Sequence, residues 1–284
     1  MRRKLLLGCA AVGVGLVAAM ALPRYERFFG RKRLRFPYLS RPIPAATYAA
    51  LAAKRGWSKA EIVVTDGLTL RGLVRPPGSK DKPWVLFYPG NDESQLERGQ
   101  GFLARVGGDA DLGLAIFAYR GYDASDGKSE LAGIRADAPL ILTRLCEMQG
   151  IKPAQVHLVG FSIGGYVAVQ AARGAVQSGQ RACTLTLLAS VDDIVMYQPS
   201  RFEKLSVGDD YQTRPYLGEV PAPVLVLQGA ADLTLDGAAQ GRAIAQALGE
   251  RAKYVEFAGV GHVPLLEEPG ALRAMSEFFA AHAP

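Results

Sequence analysis

Residues 156–173, VHLVGFSIGGYVAVQAAR, are the most informative part of the sequence, because they predict a strand, a tight turn and a helix in direct succession. At its centre is a G-x-S-x-G pattern with Ser162 in the middle. Glycines two residues before and two after the serine let strand and helix approach without Cβ clashes. The turn places Ser162 at a helix N-terminus, where the amide of Ile163 points toward developing negative charge. Ser162 is therefore the candidate nucleophile.

Strands and helices alternate on both sides of this motif. Short apolar or β-branched runs predict strands at residues 61–65, 68–74, 84–88, 112–119, 156–161, 184–189, 224–229 and 253–258. Helical stretches fall at residues 95–106, 134–148, 163–173, 237–248 and 271–281. This alternation predicts a mainly parallel sheet with helices on both faces, and the Asp66-Gly67 turn adds an antiparallel N-terminal hairpin. Active sites of such sheets lie at the carboxyl ends of the strands.

A serine nucleophile needs a base that titrates near neutral pH, and the chain has three histidines. His157 lies within the strand that leads to Ser162, on a run that extends away from the turn, so it is expected to be a structural strand residue. His282 is two residues from the C-terminus, where chains are often poorly ordered. His262 follows the last predicted strand and is the candidate base.

The base needs a carboxylate that orients it. Asp232 comes just after the strand at residues 224–229 and is the preferred candidate. Asp236 is an alternative, although its place at the start of a helical stretch suggests an N-cap. Asp192 and Asp193, after the strand at residues 184–189, are further alternatives. The order Ser162, Asp232, His262 favours Asp232.

From residue 61 to the C-terminus the chain resembles the α/β-hydrolase superfamily, and within it the serine-aminopeptidase and monoacylglycerol-lipase-like branch. The resemblance rests on the DG hairpin and on the segments PGN, AYRGYDASDGKSE, GFSIGG, GAADLTL and GVGH. It implies an oxyanion hole built from the amide of Ile163 and a second amide after the third strand. Asn91 matches that second donor, since Pro89 has no N–H.

The sequence departs from the family at two loops. In relatives the segment after the third strand begins His-Gly, whereas here it reads Tyr88-Pro89-Gly90-Asn91, and Asp123 stands where the family usually has glycine. Arg120 and Asp126, in the same loop as Asp123, are expected to form ion pairs or turns and to have no catalytic role.

The resemblance implies a serine hydrolase that cleaves an ester or thioester of a small acyl substrate, including lipid-linked acyl groups, through an acyl-enzyme. An aminopeptidase or other amide hydrolase, an acyltransferase and a non-catalytic scaffold are the alternatives. Family members carry a lid after the sixth strand, and residues 191–220 are only long enough for a short one. Its aromatics either line the pocket or pack the lid down; they are Tyr197, Phe202, Tyr211 and Tyr216.

Most of the positive charge lies at the N-terminus. The chain carries +6, from 33 Lys and Arg against 27 Asp and Glu. Residues 1–35 hold nine basic residues and one acid, so this segment carries +8 and the remaining chain −2. A mildly acidic body has no electrostatic footprint for nucleic acid.

An uncharged run at residues 5–22 lies between two basic clusters, which predicts a signal peptide or a membrane anchor. Ala19-Met20-Ala21 resembles a cleavage site, Leu6-Leu7-Gly8-Cys9 resembles a lipoprotein box, and the paired arginines resemble a twin-arginine signal. The basic flank after the run favours an uncleaved anchor in either orientation, and a buried helix is the remaining alternative. We expect a protein exported to, or anchored in, the bacterial inner membrane or periplasm, with a cytoplasmic-facing anchor as the alternative.

The organisation expected from the sequence is therefore residues 1–35 as targeting segment, 36–60 as an N-terminal extension and 61–284 as one α/β-hydrolase domain. Three cysteines and no ligand-spaced Cys/His cluster predict neither a disulfide framework nor a metal site. The expected chemistry needs no cofactor.

Overall fold

The computed structural model describes residues 42–91, 94–108, 111–193, 212–235 and 237–283. The predicted targeting segment and most of the predicted lid, including Tyr197, Phe202 and Tyr211, lie outside these ranges, as does Asp236. Among the described residues, no helix is both long and apolar enough to cross a bilayer.

Eight strands of the described chain form one sheet. They are β1 (Ser58–Val63), β2 (Thr69–Arg75), β3 (Trp84–Tyr88), β4 (Gly113–Phe117), β5 (Val156–Phe161), β6 (Thr184–Leu188), β7 (Val224–Gly229) and β8 (Ala252–Phe257). Their order across the sheet is β1-β2-β4-β3-β5-β6-β7-β8. Strands β1 and β2 pair antiparallel with each other and β2 pairs antiparallel with β4, whereas the pairs from β4 to β8 are parallel. The predicted parallel sheet with an antiparallel hairpin at one edge is confirmed.

Helices cover both faces of this sheet. The longer ones are α1 (Ala45–Ala52), α2 (Gln95–Gly107), α3 (Leu131–Gln149), α4 (Ile163–Gln177), α6 (Ala239–Leu248) and α7 (Pro269–Ala281), with a short α5 (Arg214–Leu217). Within the described ranges, short 3₁₀ turns lie at Pro153–Gln155, Gly249–Arg251 and Pro264–Leu266. Every residue of β3 through β7 is buried, which requires cover on both faces and explains why these strands are nearly continuous apolar runs.

Helix α1 lies in the segment that the sequence analysis treated as an extension. Its Tyr48 and Leu51 are buried, and the Tyr48 hydroxyl donates to the carbonyl of Gly72 in β2 at 2.8 Å. Gln100 of α2 donates through Nε2 to the carbonyl of Leu51 at 2.8 Å. Helix α1 is therefore packed on the same sheet as the rest of the domain.

Candidate active site

Ser162 lies on the sharp turn between β5 and α4. Its backbone has φ 56° and ψ −123°, a positive φ that few non-glycine residues adopt. The Ser162 amide donates to the carbonyl of Leu188 at 3.0 Å, and its carbonyl accepts from the amides of Val191 at 3.1 Å and Gly165 at 3.0 Å. The end of β6 therefore holds the turn in this conformation, with the Ser162 side chain at the carboxyl edge of the sheet.

Two glycines of the motif are required by close approach. A Cβ on Gly160 would lie 2.3 Å from the carbonyl oxygen of Gly164, and one on Gly164 would lie 2.0 Å from that of Tyr88. Both distances are far inside van der Waals contact, so the first turn of α4 can pack against β5 and the end of β3 only because no side chain intervenes. The predicted reason for the G-x-S-x-G spacing matches this geometry.

Asp232 and His262 meet at the same edge of the sheet. Asp232 follows β7, its side chain is 0% exposed, and Nδ1 of His262 donates to its Oδ2 at 2.7 Å. The Oδ1 of Asp232 accepts from the amides of Thr234 and Leu235, each at 2.9 Å. Burial raises the pKa of Asp232, but the hydrogen bond and charge of His262 and these two amides outweigh it and lower the pKa below its usual range. Asp232 is therefore ionised at neutral pH.

His262 lies beside the turn that carries Ser162. Its ring packs on Phe161, the residue before Ser162, with centroids 4.8 Å apart and an interplanar angle of 40°. The ring is mostly buried, and its side chain is 11% exposed. Since Nδ1 is bonded to Asp232, Nε2 is the ring nitrogen left to exchange a proton with a neighbouring group.

Gln228 is a site residue that the sequence analysis did not identify. It lies in β7, is fully buried, and donates through Nε2 to Oδ2 of Asp232 at 3.1 Å. This is the same carboxylate oxygen that accepts from His262. The available signal was a long polar side chain in the otherwise apolar run VLVLQG, four residues before the candidate acid.

The other histidines have structural partners. His157 is fully buried, forms a hydrogen bond through Nδ1 with Oγ1 of Thr184 at 2.9 Å, and stacks on Phe279 with centroids 4.4 Å apart. His282 bonds through Nδ1 to the carbonyl of Phe278 at 2.8 Å. Neither lies at the turn that carries Ser162, as the sequence analysis expected.

The alternative acids have other partners where they are described. The buried carboxylate of Asp192 accepts from Nε of Arg214 at 2.6 Å. Asp193 forms an isolated backbone bridge with Gln212. Among the candidate acids that the structure describes, Asp232 makes the hydrogen bond to His262.

The predicted oxyanion groups lie next to Ser162. Ile163 is the first residue of α4, so its amide has no carbonyl to bond within the helix. A Cβ on Gly90 would lie 3.2 Å from Cβ of Ser162. The segment that ends at Asn91 therefore lies against the turn. The structure thus gathers the five predicted site residues, Ser162, Asp232, His262, Ile163 and Asn91, at the carboxyl ends of β3, β5, β7 and β8.

The loop after β4 contains the departures noted in the sequence. Arg120 forms a two-bond ion pair with Asp137, at 2.6 and 2.7 Å, and Asp126 pairs with Arg71 at 2.6 Å. Asp123 takes the positive φ of 46° that glycine adopts readily, and its Oδ2 accepts from the amide of Leu96 at 2.6 Å. The carboxylate thus caps the N-terminus of α2, a contact that glycine could not make.

Tyr216 is the lid aromatic within the described residues. Its ring packs between the guanidinium groups of Arg173, 4.1 Å from the centroid, and Arg135, 5.4 Å away. It therefore fastens the end of the lid segment to α3 and α4. In the described part of the chain, no group of three or more His, Cys, Asp or Glu side chains is arranged to hold a metal ion.

The sheet order and the sharp turn at Ser162 are those of the α/β-hydrolase fold, and the chain has relatives among known proteins. An uncharacterized protein of Mycobacterium tuberculosis is 31% identical over 265 residues, which cover 89% of each chain. An uncharacterized peptidase of Bacillus subtilis, YtmA, is 26% identical over 60% of this chain and 71% of its own. No family profile matches the chain.

Solved structures share the same fold. An α/β hydrolase from Vibrio vulnificus superimposes with a TM-score of 0.66 at 20% identity, covering 86% of both chains. An esterase from Pyrococcus furiosus gives a TM-score of 0.65 at 15% identity, covering 87% of this chain and 99% of its own. The chain therefore has the α/β-hydrolase fold, and the fold predicted from the sequence is confirmed.

Proposed function

We propose that the protein is a serine hydrolase that cleaves an ester or thioester through an acyl-enzyme. The observation that carries the proposal is the 2.7 Å hydrogen bond between His262 and the buried Asp232 beside the turn that holds Ser162. A non-catalytic scaffold would not need an ionised carboxylate that accepts four hydrogen bonds behind a histidine next to a strained serine.

The reaction proceeds in two half-reactions. Oγ of Ser162 forms a bond to the acyl carbonyl carbon while Nε2 of His262 takes the hydroxyl proton. The amides of Ile163 and Asn91 bind the oxyanion of the tetrahedral intermediate. His262 then gives the proton to the departing alcohol or thiol, leaving Ser162 acylated. Water repeats the sequence, with His262 as base, and releases the acid.

A small or moderately sized acyl substrate is the proposed class. The predicted lid is short, and the Pyrococcus furiosus neighbour is named an esterase. We also propose that the protein belongs to the serine-aminopeptidase and monoacylglycerol-lipase-like branch. Lipid-linked acyl groups belong to the class because a membrane-directed enzyme meets them.

Amide hydrolysis is the second candidate, because the Bacillus subtilis relative is named a peptidase. The same Ser162 and His262 would serve it, with the proton going to an amine leaving group. Assaying 4-nitrophenyl esters, acyl thioesters and aminoacyl 4-nitroanilides side by side separates the two. Adding alcohol acceptors identifies acyl transfer. Faster turnover of anilides than of matched esters would replace the esterase proposal with a peptidase.

A fluorophosphonate probe tests the nucleophile. We expect the wild type to be labelled and Ser162→Ala not to be labelled. Ser178→Ala is the matched control, because Ser178 lies at the far end of α4 and donates to the carbonyl of Gly174. Absence of labelling in a folded wild type would refute the hydrolase proposal, and a labelled Ser162→Ala would assign the nucleophile to another residue.

The catalytic roles predict large kinetic effects. Ser162→Ala or His262→Ala should lower kcat by about 10⁴ to 10⁶ while the fold stays intact. His157→Gln serves as the histidine control and should leave kcat close to the wild-type value, since His157 is buried against Phe279. If His262→Ala lowered kcat by less than tenfold, another residue would have to act as the base.

We also propose that residues 1–35 direct the enzyme to the membrane or across it. The support is the uncharged run at residues 5–22 between basic clusters. Cell fractionation with N-terminal sequencing of the product tests this. Val14→Arg, which places a charge in the middle of the run, should move the protein to the soluble cytoplasmic fraction. An intact wild-type N-terminus in that fraction would refute both export and anchoring.

A further inference from the structure

The segment Tyr88-Pro89-Gly90-Asn91, here called the oxyanion segment, is bound by three polar side chains. Gln95 donates through Nε2 to the carbonyl of Gly90 at 3.0 Å. The hydroxyl of Tyr119 donates to the carbonyl of Pro89 at 2.9 Å. The hydroxyl of Tyr122 donates to the side-chain Oδ1 of Asn91 at 2.8 Å. Three consecutive residues of the segment are thus each held by a separate side chain.

These three side chains form a connected, buried group. Gln95 is 1% exposed, and Tyr119 and Tyr122 are each 2% exposed. Oε1 of Gln95 accepts from the backbone amide of Tyr119 at 3.0 Å, which joins the start of α2 to the loop after β4. The two tyrosine rings pack edge to face, with centroids 6.1 Å apart and an interplanar angle of 87°. A group packed this closely has little freedom to move.

Tyr122 is a reliable donor in this environment. Burial, with a further contribution from the charge of Asp123, raises the pKa of Tyr122 well above its usual range. The phenol therefore stays protonated throughout the working pH range. It has an acceptor in Oδ1 of Asn91, and the bond fixes that side chain and the peptide from which it extends.

We propose that Tyr122 is a positioning residue of the oxyanion hole, which acts by fixing Asn91 so that its backbone N–H meets the oxyanion formed at Ser162. The inference rests on the proposed serine-hydrolase function. A Cβ on Gly90 would lie 3.0 Å from the ring of Phe161 and 3.2 Å from Cβ of Ser162. Because the segment runs this close to the turn, a small rotation of the next peptide would move the Asn91 amide away from the reacting carbonyl. Oxyanion donors are effective only when they are held in place before the reaction.

The mechanism predicts which kinetic constant responds. The Asn91 amide meets a full negative charge only in the tetrahedral intermediate and the transition state before it. A loosened amide therefore lowers kcat and leaves substrate binding, and hence KM, nearly unchanged. If Tyr122 had a merely structural role, its substitution would lower the melting temperature without lowering kcat selectively over KM.

Tyr122→Phe tests the proposal, with Tyr48→Phe as the matched control. Each substitution removes one hydroxyl from a buried tyrosine that donates at 2.8 Å, but Tyr48 bonds to Gly72 in β2, away from the site. We expect Tyr122→Phe to lower kcat about tenfold with KM within twofold. Affinity for a trifluoromethyl ketone, which forms an oxyanion on the serine, should fall by the same factor. Tyr48→Phe should keep kcat within twofold.

A double-mutant cycle with Asn91→Ala tests whether Tyr122 acts through the side chain of Asn91. Alanine retains the backbone N–H and removes the Oδ1 acceptor, so Asn91→Ala alone should lower kcat about as much as Tyr122→Phe, and the double variant should be no slower. Asn91→Ala also covers the case in which Tyr122→Phe fails to fold. Additive effects, or a kcat for Tyr122→Phe equal to that of Tyr48→Phe, would overturn the proposal. A folded wild type without probe labelling or turnover would instead refute the hydrolase function on which it rests.

Discussion

Ser162 holds a backbone conformation that glycine adopts most readily, with φ 56° and ψ −123°. Holding a non-glycine residue there stores about 1 to 3 kcal/mol. We therefore expect Ser162→Gly to be more stable to urea than Ser162→Ala by about 1 kcal/mol, because alanine keeps the Cβ that causes the strain. Both variants should be inactive, so the comparison isolates the backbone. Equal unfolding free energies would show that the turn is not strained.

His157 makes the stability of the protein dependent on pH. Burial, and then the charge of His282, lower the pKa of His157 to about 4. In the unfolded chain its pKa is about 6.5, so below that pH the unfolded state binds a proton that the folded state does not. Stability therefore falls as the pH decreases from 6.5 to 4, by about 3 kcal/mol through this group.

His157→Gln should remove most of that dependence. The measurement is the free energy of unfolding in urea at pH 7 and pH 4.5 for the wild type and the variant. His282→Gln is the comparison variant and should keep most of the dependence, because burial of His157, the larger cause of its lowered pKa, is unchanged. A wild type and a His157→Gln variant that lose the same stability on acidification would contradict the assignment.

Residue patterns in the sequence identify part of this site and miss the rest for a physical reason. Ser162, Asp232 and His262 each follow a strand, and a parallel sheet brings the carboxyl ends of its strands to one edge. Tyr122 and Gln228 act through side-chain contacts between buried groups. Their partners depend on packing between elements, which the spacing of residues along the chain does not encode. Their roles therefore become visible only from three-dimensional distances.

Helix α4 begins where the site is most crowded, and its second residue is Gly164. A Cβ there would lie 2.0 Å from the carbonyl oxygen of Tyr88 and 2.5 Å from that of Pro89, both backbone atoms of the oxyanion segment. Gly164→Ala should therefore lower the unfolding free energy by about 2 kcal/mol or more and also lower kcat, because the oxyanion segment must move.

Gly101, in the middle of α2, provides the matched control. The nearest atom to its Cβ would be Nη1 of Arg105 at 3.8 Å, so alanine fits without a clash. Gly101→Ala should stabilise the protein by about 0.5 to 1 kcal/mol through helix propensity. Chemical denaturation of both variants measures whether each substitution raises or lowers the free energy of unfolding. Destabilisation by Gly101→Ala as large as that by Gly164→Ala would show that crowding at the start of α4 is not the cause.

Helix α1 shows where element prediction from sequence fails. Its sequence AATYAALA offers two large apolar residues, Tyr48 and Leu51, three positions apart, and alanines elsewhere. Eight residues with one such pair carry no detectable helical period. The longer elements were predictable because β3 to β7 are buried on both faces and therefore contain continuous apolar runs.

The sequence predicts the layers of the fold but not the order of the strands within the sheet. Alternating strands and helices require parallel pairing, and the hairpin must lie at an edge. Nothing in the spacing indicates that β4 lies between β2 and β3, as it does in the sheet. That order brings the loop after β4, with Tyr119 and Tyr122, beside the end of β3, and so it assembles the group that binds the oxyanion segment.

The packing of α1 predicts that it unfolds together with the rest of the domain. The Tyr48 hydroxyl bonds to β2, and the Leu51 carbonyl accepts from Gln100 of α2, so α1 is fastened to two elements that are distant in sequence. Leu51→Ala should lower the unfolding free energy of the whole domain by about 2 to 4 kcal/mol. The fluorescence of Trp84, buried in β3, reports this transition in a chain that carries Trp57→Phe.

Leu233→Ala is the control that distinguishes the loss of buried surface at Leu51 from the leucine-to-alanine change as such. Leu233 is 97% exposed, whereas Leu51 is 4% exposed, so the same chemical change removes buried surface in one variant and not in the other. The Leu233→Ala transition should stay within about 0.5 kcal/mol of the parent. If α1 were an appendage that unfolds by itself, Leu51→Ala would leave the Trp84 transition unchanged too. A shift confined to Leu51→Ala requires that the cooperative unit include α1, which precedes the hairpin in the chain.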